Sequence, residues 1–141
     1  MKRGAMQRRL FPVTLSVLIA LGTGTQAWAH HSFGAAYDLN APQITVKGTI
    51  AQVRLQNPHS WFFLDVKDET GKTVRWAFEA GTPSGMMRNG FKPGVIKQGV
   101  EVTIKGFRAR DTTQNMGMLR ELTTSDGKVY GMFGPQEGPG K

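Results

Sequence analysis

From Ile44 to Met132 the chain repeats one pattern: short runs of alternating apolar and polar residues, each closed by a turn signal. Ile44 to Val53 alternates and is rich in β-branched residues. Asn57-Pro58 marks a turn, and Ser60 to Lys67 follows as a run of aromatic and β-branched residues. A glycine-containing turn at residues 68–72 leads into Val74 to Ala80, where Val74, Trp76 and Phe78 face one way and Arg75 and Glu79 the other. Period-two alternation is the signature of half-buried strands. Thr82-Pro83-Ser84 then supplies an N-cap with proline at the first helical position, which predicts a short helix over residues 83–89. After a loop at Phe91 to Gly99, further strands are predicted at Glu101 to Arg110, Met116 to Thr124 and Lys128 to Met132.

Three strands, a short helix and two or three more strands predict an all-β chain with one short helix. The order is that of a small OB-fold-like barrel of five to six strands, with an open sandwich of the same strands as the rival. Gly48 and Gly106 stand midway along long strands, where a small barrel must bulge or bend.

The residues before Ile44 read differently. Lys2, Arg3, Arg8 and Arg9 precede an apolar run from Leu10 to Ala20, and Ala27-Trp28-Ala29 has the form of a cleavage site. This is the pattern of a secretory signal over residues 1–29, too short to span a bilayer as a helix. Arg8-Arg9-Leu10-Phe11 carries part of a twin-arginine pattern without the rest of it. Periplasmic localisation is the expectation. Residues 30–43 then form an N-terminal arm without periodicity, residues 44–132 the barrel, and residues 133–141 a Gly/Pro-rich disordered tail. Removing 29 of the 141 residues leaves 112, enough for one domain with its own core. Four cations and no acid leave with the leader, so the formal charge falls from +8 to +4. A charge of this size favours solubility and weak attraction to anionic surfaces, and does not point to nucleic acid. Cysteine is absent, which excludes disulfides and thiolate metal sites.

The sequence has three histidines, His30, His31 and His59. Cleavage after Ala29 makes His30 the first residue of the mature chain. A terminal histidine offers its α-amine and its imidazole Nδ1 to one ion, and a further imidazole from His31 or His59 completes a set suited to copper(II). Cleavage after Ala27 would instead put His30 third, in an amino-terminal copper(II)/nickel(II) motif. Met116 and Met118 place two thioethers on one face of the fifth predicted strand, and thioether with imidazole suits copper(I). By period two, His59, Trp61 and Phe63 share a face, followed by Asp65. Small periplasmic copper chaperones built on an OB barrel use one His, two Met and a Trp; His59, Met116, Met118 and Trp61 are the same residue types. The plainer readings are an exposed arm for His30 and His31, a turn histidine bonding a backbone carbonyl for His59, adaptable core filling for the methionines, and core packing for Trp61 and Trp76.

His30-His31-Ser32-Phe33, Val46-Lys47-Gly48-Thr49, Asn57-Pro58-His59-Ser60-Trp61, Asp65-Val66-Lys67-Asp68 and Trp76 together resemble a family of small exported proteobacterial proteins, the domain of unknown function DUF6152. Phe62-Phe63 stands where more aliphatic residues would be expected. The resemblance implies export and a small β domain over about residues 30–132. It carries no established activity and no catalytic residue. The expected function is therefore a periplasmic copper-binding or carrier protein working with an envelope or metal-handling partner, as a monomer, without nucleic acid and without stable membrane insertion once the leader is removed. The alternative is a metal-free module for a protein, glycan or lipid partner. No Ser/His/Asp spacing or phosphate loop is present, Asp65 and Glu79 are isolated in sequence, and no enzymatic role is expected.

Overall fold

The computed structural model of the chain describes residues 33–131. Its elements are β1 (Ile44–Arg54), β2 (Trp61–Lys67), β3 (Thr73–Glu79), α1 (Pro83–Arg88), β4 (Glu101–Arg108), β5 (Met116–Thr124) and β6 (Val129–Gly131). The leader, His30, His31 and the tail expected from the sequence lie outside the described residues. Among the described residues no helix is long and apolar enough to cross a membrane.

The long strand β1 serves two neighbours. Its first half, Ile44 to Thr49, pairs antiparallel with β4, and its second half, Thr49 to Arg54, with β2. β2 pairs with β3, and β4 with β5. A short parallel ladder, Ala77↔Met116 to Glu79↔Met118, joins β3 to β5 and closes a five-strand ring, with β6 added beside β5. This is the OB-type barrel that the element order predicts. Inside it lie Ile50, Phe62, Leu64, Phe78, Ile104, Leu119 and Leu122. α1 closes one end. Thr82 Oγ1 accepts a hydrogen bond from the Gly85 N–H at 3.1 Å, Pro83 needs no donor partner at this position, and Met86 is fully buried in the core.

The bulges fall elsewhere than at Gly48. On β1 the extra residue is Ala51, so that Ile50 and Val53, three apart, both turn toward the core. On β5 the extra residue is Arg120, and Leu119 and Leu122 both point inward in the same way. The glycines answer a different need, the close approach of backbones. A Cβ on Gly48 would sit 2.6 Å from the Asp65 carbonyl oxygen, where β1 changes partners. A Cβ on Gly106 would fall onto the Met118 carbonyl oxygen.

Two further expectations change. Trp61 is not core: Phe62 and Leu64 take the inward positions of β2, leaving Trp61 and Phe63 half-buried outside with ring centroids 6.3 Å apart. Arg54 covers the Phe63 ring at 4.9 Å. Trp76 packs on the core from the inner face of β3 but stays half-buried, under the Arg108 guanidinium at 5.0 Å. The described part of the arm is not loose. Residues 33–36 form a helical turn, and the chain then pairs beside β4, with Asp38 N donating to Arg108 O at 3.2 Å and Arg110 N to Ala36 O at 2.9 Å.

Gly106→Ala should destabilise the fold by about 3 kcal/mol or more, because backbone must move to admit the methyl group. Gly34→Ala, which meets nothing within 4 Å, should change stability by about 0.5–1 kcal/mol at most, in the stabilising direction. Urea unfolding of the two variants checks the contrast. Equal effects would show that the β4–β5 crossing is not the tight point.

Candidate functional site

On the outer face of the barrel the registers align one row across four strands. Trp61 stands opposite Glu79, Glu79 beside Met118, and Met118 opposite Phe107. His59 lies two residues before Trp61, at the end of the β2–β3 ladder, which runs one step further through Ser60 N to Gly81 O and Ala80 N to Ser60 O. The Asn57–Pro58 bond just before it is cis.

Glu79 is the centre of the site. Its Oε1 lies 2.5 Å from His59 Nδ1, and its Oε2 accepts the Tyr37 hydroxyl proton at 2.6 Å. The His59 and Glu79 side chains are 20% and 15% exposed, so the carboxylate has little water and takes its donors from the protein. Tyr37 is buried, and burial first, then its hydrogen bond to the nearby Glu79 carboxylate and the charge there, push its phenol pKa well above the ordinary tyrosine range. Phe33 covers the His59 ring, with centroids 4.6 Å apart and an angle of 41°. A small apolar cluster supports this face: Tyr37, Ala109 and Met118, with Phe33, Phe107 and Met116 against them.

The structure therefore draws together several of the residues singled out by sequence. Among the described residues it is Glu79, not a backbone carbonyl as for a turn histidine, that holds His59. Met116 and Met118 do share the outer face of β5, while the intervening Gly117 turns inward against the Phe78 ring. Met118 is nearly buried beneath the arm. Asp65 and Glu79 do not meet, since Asp65 pairs with Arg75 at 2.7 Å. His30 and His31 lie outside the described residues. Among the described residues no group of three His, Asp or Glu side chains is placed to hold a metal ion.

Sequence reasoning set Glu79 aside as an isolated carboxylate and did not single out Tyr37. Glu79 had a partial signal, because the alternation of β3 turns it away from the core. Tyr37 had none, since its place depends on the arm pairing with β4.

The chemistry follows from the bond at Nδ1. With Nδ1 directed at a carboxylate, Nε2 is the nitrogen that faces a ligand, and the carboxylate fixes the orientation and tautomer of the ring. A family model described as a family of unknown function, DUF6152, matches residues 18–118, a span that contains Tyr37, His59, Glu79, Met116 and Met118. No curated protein and no solved structure matches the chain.

Tyr37→Phe should cost about 1–3 kcal/mol, because Glu79 Oε2 loses a buried donor. A phenol whose pKa rises on folding contributes fully below the ordinary value near 10, and that contribution is lost as pH climbs above it. The stability gap between wild type and variant should therefore be constant from pH 7 to 9 and narrow at higher pH. A gap that widened in alkali would contradict the assignment. Chemical denaturation across the pH series is the measurement.

Proposed function

We propose, for a chain that belongs to the family of unknown function DUF6152, that it is an exported periplasmic protein that binds or carries copper through His59. The observation that carries this reading is the His59–Glu79 pair, an imidazole oriented at Nδ1 by a carboxylate with Nε2 left for an ion. Carboxylate–histidine pairs of this kind hold metal-ligating imidazoles in one tautomer.

Two features support copper as the ion. Phe33 packs on the His59 ring, and His30 and His31 precede Phe33 by three and two residues in the sequence. Three residues of extended chain span about 10 Å, which puts both histidines within tethered reach. If the leader is cut after Ala29, the α-amine of His30 joins them as a nitrogen donor for copper(II). Met116 and Met118 lie on the same outer face and offer softer sulfur for copper(I). In this reading His30, His31 and His59 are the nitrogen ligands, Met116 and Met118 the sulfur donors, and Glu79 a positioning residue. The protein works as a monomer that passes its ion to a metal-handling partner in the envelope, and no catalytic step is assigned to it.

The test is copper titration of protein purified from periplasm without an N-terminal tag, its terminal mass measured first. His59→Ala should lower copper(II) affinity by orders of magnitude with the fold retained. Glu79→Gln should lower it by about 10–100-fold. Met116→Leu with Met118→Leu should weaken copper(I) and leave copper(II) nearly unchanged. Binding that is unaltered in His59→Ala, or no tighter than that of free histidine, would discard the copper site.

A further inference from the structure

The connection from β3 to β4, residues 80–100, contains Arg88, Lys92 and Lys97 and no acidic residue. Its cations differ from three on the sheet that are paired. Lys47, Arg75 and Lys105 each face a carboxylate, Glu101, Asp65 and Glu121 respectively. Among the described residues Arg88, Lys92 and Lys97 enter no ion pair.

Lys97 borders an open groove of about 340 Å³, whose apolar walls are Val53 and Leu55 from the β1 side and Phe91 and Ile96 from the connection. Leu55 is 37% exposed and Val95, next to Ile96, 43% exposed. Val95 N bonds back to Lys92 O, which keeps this apolar side chain in the same turn as a cation. Met87, adjacent to Arg88 on α1, is exposed as well.

Single exposed apolar side chains are ordinary. Three of them on or near a segment that carries three cations outside any ion pair, with Leu55 and Lys97 bordering an apolar groove, have a particular complement. That complement is negative at its surface and apolar just beneath it. We infer that this end of the barrel is a peripheral docking face for an anionic lipid bilayer. Arg88, Lys92 and Lys97 meet the headgroups, and Leu55, Val95 and Met87 enter the headgroup–acyl boundary. An acidic peptide would satisfy the cations but would leave the exposed Leu55 and Val95 without an apolar phase. The inference stands independently of copper binding.

The test uses the whole mature protein and sedimentation with two kinds of vesicle: pure phosphatidylcholine, and phosphatidylcholine with one third phosphatidylglycerol. Wild type should bind the anionic vesicles and not the neutral ones. The double variant Lys92→Glu with Lys97→Glu should lose more than about tenfold in partitioning. Leu55→Ser with Val95→Ser should also weaken binding, by about threefold or more. The control is Lys67→Glu with Lys72→Glu in the β2–β3 hairpin, at the far end of β3 from α1. It makes the same change in net charge and should keep binding within about threefold of wild type. Circular dichroism verifies that each variant folds. Equal loss in the control would reduce the effect to net charge and overturn the docking face. So would equal binding to both vesicles, or no binding to either. Binding to polyglutamate that falls with Lys92 and Lys97, with vesicle binding indifferent to Leu55 and Val95, would replace the bilayer by an acidic peptide.

Discussion

The parallel contact between β3 and β5 spans three residue pairs, yet both surfaces of the protein depend on it. Without that ladder the strands form an open sheet with two unpaired edges, a state that invites aggregation. With it the strands close, Phe78 and Leu119 turn into a common core, and Glu79 and Met118 become neighbours on the outside. Strand alternation makes these outcomes inseparable. The register that buries Phe78 also sends Glu79 outward, because successive side chains point to opposite faces.

Glu79 then extends the order of the barrel to the chain around it. It takes a hydroxyl from Tyr37 on the arm and an imidazole nitrogen from His59 at the end of the β1–β2 connection. A mostly buried carboxylate with fewer donors would be costly, so this one group favours both segments being in place. Backbone pairing beside β4 and the Phe33 ring over His59 act in the same direction. An oriented imidazole under an aromatic cover is thus a consequence of how the arm is anchored. The cationic connection between β3 and β4 has a separate character: it carries no acidic residue, and its three cations enter no ion pair among the described residues.

Much of this was legible in the strand patterns. Element order, the capped helix and the shared face of Met116 and Met118 all follow from local spacing and residue type. The bulges also left a trace. Ile50 and Val53, and likewise Leu119 and Leu122, are apolar residues an odd number apart within one strand, and an inserted residue is what lets both face inward. Glycine drew attention to Gly48 instead, where the actual requirement is room for the Asp65 carbonyl. Trp61 was misplaced because a strand of continuous aromatics, Trp61-Phe62-Phe63, gives no polar residue to mark its outer side.

Taken alone, the sequence determined an all-β chain with its strands in OB-type order, a family resemblance, and one histidine at the start of an aromatic strand, since strand period, capping and turn chemistry act over a few neighbouring residues. It could not decide what would meet that histidine. Tyr37 and Glu79 are 42 residues apart, and the contact between them exists only once β3 joins β5 and the arm pairs with β4. Local propensity carries no information about pairings at that separation. Closure of the barrel supplied it, by placing three distant segments around one carboxylate.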